Sequence, residues 1–477
     1  MVTLQIRSED RENESGSSIR RLSAGIEEDI DQEYDKPFEN MLRLNMGDAQ
    51  SVGQPPINFL RQVMTLVAYP ELIHKGIFPE DANIRAENIL KNCAGGSVGS
   101  YSEVCGIKII RRQIAKFIEE IDGVESQWEN CYIGQGAGDM MKIFLAVIKF
   151  NENGLKAGVL TPVPGCTSYS MIIEGLDLQK IDYYLDEDNE WSININELQR
   201  AVDDAKTVCN PRAIVLINPG NPTGHILTVE NMEAIVNFAF KENLIIIADE
   251  VYRTNILKAN CNFIPFRRIL KEMDKPYSKM ELVTLMSMSD GIYAENGSRC
   301  GFCEIINLDP EIPPMIYRLL SISPPACNIA QAALYCLVNP PKPDEPSYEE
   351  YHNEIFRITD GFKASASLVE KTIKNLEGIK CNPLEGGIFF YPRLSLPENA
   401  VEKAKQLGLL PDEFYVSQLL QDTGICVVPG YELGQKQGTY HMRMTLISDP
   451  ERERIIMQRF KTFHMEFMKK YTGFVKT

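Results

Sequence analysis

Short apolar runs alternate with amphipathic stretches over residues 132–286, and this alternation predicts the architecture of the chain. The apolar runs are continuous and rich in β-branched residues, and they cover residues 158–160, 213–217, 244–248 and 282–286. Continuous β-rich runs that are separated by helical segments are typical of a parallel sheet with helices on both faces. The pattern therefore predicts an α/β domain with a mainly parallel sheet.

Polar clusters begin where three of these apolar runs stop. Residues 218–224, Asp249 and residues 287–290 each follow directly on one of the runs. In open parallel sheets, ligands bind in the crevice beyond the carboxyl ends of the strands. We therefore expect the three clusters to meet at one site.

The pattern changes after residues 339–343, which are rich in proline. A long helical segment over residues 348–376 follows, and then strand-like runs at 387–391 and 441–445. A mixture of one long helix and short strands predicts a smaller α+β domain. The predicted divisions are a disordered tail over residues 1–36, an N-terminal arm with part of the small domain over residues 37–104, a large α/β domain over residues 105–345, and the small C-terminal domain over residues 346–477.

The predicted tail is polar, charged and nearly free of aromatic side chains. Such a composition cannot bury enough apolar surface to offset the entropy of ordering, which favours disorder. Its arginines are interleaved with acids, unlike an acid-poor mitochondrial presequence, so we expect a cytoplasmic protein. Arg20-Arg21-Leu22-Ser23 has the spacing that basophilic protein kinases recognise, although so short a pattern also occurs by chance.

Composition and charge argue against several classes of partner. The chain has 477 residues and is 44% hydrophobic, enough for a large core. Its formal net charge of −17 argues against nucleic acids and anionic membranes, and no apolar run approaches the ~20 residues of a membrane-spanning helix. The cysteines show no paired framework, which indicates a reducing compartment. Cys300 and Cys303 have a redox or zinc spacing, but without a second pair we expect no metal site.

Four motifs together carry a family resemblance. They are Asn-Pro-Gly-Asn-Pro-Thr-Gly at 218–224, Ala-Asp-Glu-Val-Tyr at 248–252, Ser-Met-Ser at 287–289 and Ser-Arg at 298–299. This set resembles the class I/II, fold-type-I pyridoxal-phosphate (PLP) aminotransferases, and within them the alanine aminotransferases, from about Leu44 to the C-terminus. The resemblance implies a mainly parallel large domain that binds PLP and a smaller α+β domain. It also implies a dimer.

Several residues match positions that hold the PLP phosphate in this family. Ala137 and Gly138 begin a predicted helix, whose free amides and positive dipole end suit a phosphate. Ser287 and Arg299 match further phosphate ligands, since a guanidinium binds phosphate oxygens bidentately. Taken alone, these residues are also compatible with an ordinary turn, a turn serine and a surface arginine.

Other residues match positions around the ring and the substrate. Asp249 resembles the carboxylate that keeps the pyridine nitrogen protonated, so that the ring can withdraw electrons. Asn221 and Tyr252 resemble the groups that bind the ring's phenolic oxygen. Arg443 matches the substrate-carboxylate clamp, and Tyr101 matches a residue that reaches into the partner's site. Without the resemblance, Asp249 is also compatible with a helix cap, and Arg443 is also compatible with a structural salt bridge.

Three positions depart from the family pattern. Asp290 stands where the family has the lysine that binds PLP covalently, Cys166 stands in place of the ring-stacking tyrosine, and Gly138 replaces a phosphate-binding serine. A carboxylate cannot link to the cofactor, and the lysine amine is also the group that moves the substrate proton. We therefore expect PLP or pyridoxamine phosphate (PMP) to bind noncovalently and weakly, if at all.

Three functions are compatible with these residues. The leading hypothesis is a catalytically impaired relative of alanine aminotransferase. The second is an active aminotransferase-type enzyme of amino-acid or specialised metabolism that uses noncovalently bound PLP or PMP, with Asp290 as the base and an amino acid or 2-oxo acid as its ligand. The third is a regulatory or structural subunit, either as a homodimer or as a heterodimer with an intact paralogue.

Overall fold

The computed structural model of the chain describes residues 18–32, 34, 36–289, 291–322 and 325–473. Its α-helices, labelled α1 to α15 in chain order, are Ser18–Asp31, Asn58–Ala68, Glu80–Lys91, Lys108–Asp122, Ala137–Ile148, Thr167–Gly175, Ile195–Ala205, Val229–Lys241, Phe266–Glu272, Ile312–Ile322, Asn328–Val338, Tyr348–Ile373, Glu398–Gln406, Pro411–Thr423 and Pro450–Thr472. Its strands, β1 to β14, are Leu42–Arg43, Cys131–Gly134, Lys156–Val163, Gln179–Tyr184, Cys209–Ile217, Ile245–Asp249, Leu282–Ser287, Gly301–Ile306, Ile379–Lys380, Phe389–Phe390, Arg393–Leu394, Ile425–Cys426, Val428–Pro429 and Met442–Thr445.

A seven-stranded sheet forms the centre of the large domain, with strand order β2-β8-β7-β6-β5-β3-β4. The strands β4, β3, β5, β6 and β7 run parallel, and β8 is antiparallel to both of its neighbours. The four apolar runs predicted as strands lie in β3, β5, β6 and β7. The expected α/β fold with a mainly parallel sheet is confirmed.

Helices cover both faces of this sheet, as the continuous apolar runs predict. Along β5, Ala213 and Val215 pack into the core on one face, whereas Ile214 and Leu216 pack into the core on the other. The first core includes side chains of α5 and α6, and the second includes side chains of α7, α8 and α9. Because successive side chains of a strand point to opposite faces, a strand covered on both sides must be apolar at every position.

The C-terminal segment forms a small sheet, β10-β14-β13, beside the packed helices α12 and α15. The N-terminal arm reaches this sheet, because β1 pairs in parallel with β12 and the backbone oxygen of Leu44 accepts hydrogen bonds from the amide and hydroxyl of Thr445. This placement fits an arm that contributes to the small domain. The exact domain boundaries stay predictions.

The expected disorder of residues 1–36 is wrong for residues 18–31, which form α1. Ile19 and Ile26 are buried on the face of α1 that packs on α14, with Leu22 and Ile30 partly buried beside them. These apolar residues recur at helical spacing, and an amphipathic helix of this length gains most of its stability from such packing. Residues 1–17, 33 and 35 lie outside the described part of the chain.

Two expectations from composition concern the described residues directly. Among them, no helix is long and apolar enough to cross a membrane. No cluster of His, Cys, Asp or Glu in the same residues has the arrangement of a metal site. Cys300 lies directly before β8 and Cys303 lies within it. Both are free buried thiols, and burial raises the pKa of each.

Candidate functional site

The predicted site residues collect along one edge of the large sheet. Asn221, Asp249 and Ser287 follow or end the parallel strands β5, β6 and β7. Since β8 runs in the opposite direction, Arg299 lies just before its first residue and reaches the same edge. The sheet topology therefore brings these separate segments to one edge, as expected.

The turn before α5 brings the candidate phosphate ligands together. Gly136 has a φ of 108°, which favours glycine, and a Cβ at this position would lie 3.4 Å from an Arg299 side-chain nitrogen. Arg299 Nη2 also donates to the backbone oxygen of Gln135 at 3.0 Å. The guanidinium therefore lies over the start of α5, where the first amides, including that of Ala137, have no intrahelical acceptor.

Gly138 and Ser287 lie around the same turn. A Cβ at Gly138 would meet only Ile172 Cδ1, at 3.8 Å, so the missing serine side chain leaves space at this position. The buried Ser287 Oγ lies 2.7 Å from Ser289 Oγ and accepts from the Ser289 amide. The hydroxyl at the end of β7 is thus held in place by its own turn.

Asp249 is buried at the end of β6 and has a partner that the sequence did not indicate. Tyr169 Oη donates to Asp249 Oδ2 at 2.5 Å, and the Val251 amide donates to Oδ1 at 3.2 Å. Burial raises the pKa of Asp249, and these two hydrogen bonds oppose the rise. Burial also raises the pKa of Tyr169 well above its usual value, so its hydroxyl remains a donor.

The residues matched to the ring oxygen and the substrate clamp form a second group. Arg443 Nη1 donates to Asn221 Oδ1 at 3.2 Å, and Nη2 donates to the backbone oxygen of Asn45 at 2.7 Å. The Phe389 ring contacts Arg443, whose guanidinium carbon lies 4.3 Å from the ring centroid, and Tyr252, whose ring packs edge-on with the two centroids 5.7 Å apart. Arg443 on β14 is thus joined to the loop after β5.

A cavity of about 430 Å³ lies beside Arg443. Cys166 lines it from the segment between β3 and α6, and burial raises the pKa of this thiol. Arg20 and Ser23 of α1 also line the cavity. A cationic side chain in a cavity of this size suits a small carboxylate ligand.

Tyr101 and Asp290 are the two remaining predicted site residues. Tyr101 is 86% exposed, which is compatible with a role in a partner's site and leaves that role a prediction. Asp290 lies outside the described residues, although its neighbours Ser289 and Gly291 are described. The sequence analysis did not single out Tyr169, the donor to Asp249, although Tyr169 lies one helical turn after Cys166.

The chemistry of the described residues fits the phosphate and ring of PLP. The glycine turn, the amides of α5 and Arg299 are donors suited to a phosphate. Each oxygen of the buried Asp249 accepts one described hydrogen bond, and a carboxylate oxygen has a lone pair for a further donor such as a ring nitrogen. These residues would hold PLP by its two polar ends.

We expect Tyr169→Phe to change the pH range over which PLP binds. Loss of the Tyr169 hydroxyl raises the pKa of Asp249 further, because one hydrogen bond to the ionised carboxylate disappears. The ionised form that pairs with a protonated ring nitrogen exists above this pKa and is lost as the pH falls through it. The midpoint of PLP affinity against pH should therefore move upward by about one pH unit.

Equilibrium dialysis of PLP between acidic and neutral pH measures this midpoint. Tyr183→Phe is the matched control, because Tyr183 is also a buried tyrosine but donates to the backbone oxygen of Val215 at 2.7 Å. The same midpoint in Tyr169→Phe and in the unmodified protein would show that the Tyr169 contact does not tune Asp249.

The chain is similar in sequence to known aminotransferases. The family profile for aminotransferase class I and II matches residues 76–458. Alanine aminotransferase 1 of Homo sapiens is 41% identical over 451 residues, which cover 94% of this chain and 90% of that protein. The probable mitochondrial alanine aminotransferase of Dictyostelium discoideum is 38% identical over 442 residues, or 91% of this chain and 82% of that protein.

Solved structures with the same fold are aminotransferases of low sequence identity. An alanine aminotransferase from Pyrococcus furiosus superposes with a TM-score of 0.73 at 18% identity, covering 96% of this chain and 100% of that chain. An aspartate aminotransferase of Thermus thermophilus with maleate has a TM-score of 0.70 at 16% identity, with coverages of 96% and 100%. At these identities the likeness concerns the fold alone, and the fold is that of fold-type-I PLP aminotransferases.

Proposed function

This chain belongs to the aminotransferase class I and II family and is similar to alanine aminotransferases over most of its length, and we propose that its PLP-lysine transamination is absent or very weak. The observation that carries the proposal is Asp290 in the sequence, at the position matched to the cofactor lysine. Aspartate has no amine, so it can neither link to PLP nor act as the lysine does in moving the substrate proton.

The retained contacts support a protein that still binds ligands at this site. Arg299 lies over the amide-rich start of α5, and Asp249 is held by Tyr169. Arg443 donates to Asn221 and lines the neighbouring cavity. We propose that PLP or PMP binds here noncovalently and weakly, because Cys166 and Gly138 supply fewer contacts than the tyrosine and serine of the family pattern.

Each retained residue has a defined task when the cofactor is bound. PLP supplies an electron-withdrawing ring that stabilises a carbanion on the substrate. Asp249 holds a proton on the ring nitrogen, and Arg299 neutralises phosphate charge. Arg443 binds the substrate carboxylate and thereby fixes the orientation of the reacting carbon. The missing task is proton movement by an amine at position 290.

An assay of amino transfer from alanine to 2-oxoglutarate tests this proposal. The purified chain is incubated with excess PLP, and pyruvate is measured at steady state beside an intact alanine aminotransferase. We expect no pyruvate above the rate with PLP alone. Sustained pyruvate formation that requires the protein would overturn the proposal.

A second candidate is an active enzyme with noncovalent PLP or PMP and Asp290 as the base. The contact between Arg443 and Asn221 favours it, since a scaffold has no need of a clamp for a substrate carboxylate. Spectroscopic titration of the protein with PLP and PMP, followed by mixing with a panel of 2-oxo acids, tests it. Failure to bind either cofactor form removes this candidate.

A third candidate is a regulatory or structural subunit of a homodimer or of a heterodimer with a paralogue. The exposed Tyr101 ring favours it, since a large exposed aromatic side chain is suited to a partner surface. Sedimentation of the purified chain and co-purification from its source cell test this candidate, and a strictly monomeric protein with no co-purifying aminotransferase contradicts it. A cytoplasmic location remains our proposal for all three candidates.

A further inference from the structure

We propose that Ser23 is a phosphorylation site, and that its phosphate occupies the cavity beside Arg443 and excludes carboxylate ligands from it. The exclusion step rests on the proposed function, which makes this cavity a carboxylate site. The seating of the phosphate rests on α1 and its neighbours alone. Ser23 and Arg443 line the same cavity of about 430 Å³.

Ser23 faces the cavity because of its position on α1. Ile19, one turn earlier, and Ile26, one turn later, are both buried against the core, so Ser23 shares the inward face of the helix. Its Oγ donates to the Arg20 backbone oxygen at 2.9 Å. Ser23 is also a hydrogen-bond neighbour of the Cys426 thiol, whose pKa burial raises to about 12.

Cationic groups lie within reach of a phosphate on Ser23. Arg20 is one turn earlier on α1, and Arg43 pairs in register with Cys426 across the β1–β12 ladder. The Arg43 guanidinium is held by Glu27 Oε1, with Nε at 2.7 Å. A phosphoserine carries a charge of about −1.5 to −2 at neutral pH. It therefore competes with Glu27 for Arg43 and gains a second partner in Arg20.

The same cavity also contains groups that oppose the phosphate. Glu27 and Glu432 line it together with Arg20, Arg43 and Arg443. Three guanidinium groups thus face two carboxylates. A phosphate adds its charge to the acidic side, so that Arg443 is left with less net positive potential around it. Small carboxylate ligands lose affinity for Arg443 both through this charge and through the volume that the phosphate fills.

The residues before Ser23 supply the recognition pattern for the modifying enzyme. Arg20-Arg21-Leu22-Ser23 places arginines three and two residues before the serine, as basophilic kinases require. The Ser23 oxygen bonds to the γ-phosphorus of ATP, the bond from that phosphorus to the bridging oxygen breaks, ADP leaves, and the serine proton passes to the kinase base. Because Ser23 is on the inward face, α1 must open first, and terminal elements open at low free-energy cost.

The first experiment treats the full chain with ATP and the catalytic subunit of cAMP-dependent protein kinase. Mass spectrometry should locate phosphate on Ser23, and Ser23→Ala should remove that signal. Absence of phosphate at Ser23 after exhaustive treatment overturns the proposal.

The second experiment tests where the phosphate lies, without any carboxylate ligand. Phosphoserine is inserted at position 23 during translation, and its second pKa is followed by phosphorus NMR. Arginine partners should lower that pKa below the value of about 6 for a free phosphoserine, and Arg43→Met should raise it part of the way back. Arg21→Met is the matched control, because Arg21 is exposed on the same helix. An unshifted pKa, or faster tryptic release of α1 from the phosphorylated chain, contradicts a seated phosphate.

The third experiment compares the calorimetric affinity of 2-oxoglutarate for the unmodified and phosphorylated chains. We expect affinity to fall at least tenfold, and a change of less than twofold overturns the exclusion step. If the unmodified chain does not bind 2-oxoglutarate, the cavity is not a carboxylate site and the exclusion step fails, and the NMR result still decides whether the phosphate occupies the cavity.

Discussion

Asp290→Lys should convert this chain into a protein that holds PLP covalently and transfers amino groups at a measurable rate. The substitution returns an amine directly after a strand whose end is flanked by a phosphate cup and by Asp249. It also removes the negative charge of residue 290, and two like charges roughly 6 Å apart at an effective dielectric constant near 20 repel by about 3 kcal/mol. We expect a visible absorption band, and a link between PLP and residue 290 that borohydride reduces to a stable adduct.

Asp290→Asn is the matched control for this result. It removes the negative charge but supplies no amine, so it should strengthen PLP binding without creating a reducible link or amino transfer. Peptide mass spectrometry after borohydride treatment separates the two variants. Formation of the adduct at another lysine, in either variant or in the unmodified chain, would show that position 290 is not the attachment position.

The activity of Asp290→Lys should remain well below that of an intact relative. Cys166 offers no ring to stack on the cofactor, and Gly138 offers no hydroxyl to its phosphate. Adding Cys166→Tyr to Asp290→Lys should therefore raise the rate further. If Asp290→Lys folds but forms no adduct, the site has lost more than its lysine, and a scaffold function is favoured.

Arg299→Ala should weaken PLP binding by roughly 10- to 100-fold, because the phosphate loses its charge-assisted partner. The helix amides and Ser287 remain, so the loss concerns the guanidinium that lies over the Gly136 turn. Equilibrium dialysis with PLP and with inorganic phosphate measures both affinities. The two ligands should lose affinity by similar factors, since they share the phosphate group.

Arg268→Ala serves as the control for general charge effects. Arg268 is an exposed arginine of α9 that pairs with Glu272 at 2.7 Å, remote from the site. It should leave both affinities unchanged. An unaltered PLP affinity in Arg299→Ala would show that Arg299 is not a phosphate ligand in this chain.

The site could be predicted from the sequence where its residues follow directly on strands. Asn221, Asp249 and Ser287 were placed together because each follows or ends a buried run, and a parallel sheet brings such ends to one edge. Gly138 and Cys166 were recognised as departures from motifs of fixed spacing. These inferences depend only on the order of residues along the chain, which is the same in the unfolded and the folded protein.

The tail over residues 1–36 shows where composition misleads. Its high charge predicted disorder, yet residues 18–31 form α1, whose inward face covers the cavity beside Arg443. The apolar positions of α1 are few, and they stabilise a helix only when α14 supplies the surface that buries them. That surface is formed by residues almost 400 positions later in the chain, so the composition of the tail cannot reveal it.

The sequence by itself determined the family, the sheet and the residue types at the site, including Asp290. Only the tertiary structure decided that Tyr169 holds Asp249 and that Arg443 contacts Asn221, 222 positions earlier in the chain. It also decided that Ser23 shares a cavity with Arg443. Strand and helix periodicity is set by neighbouring residues, whereas such distant contacts depend on how all the elements pack, and no local pattern encodes that arrangement.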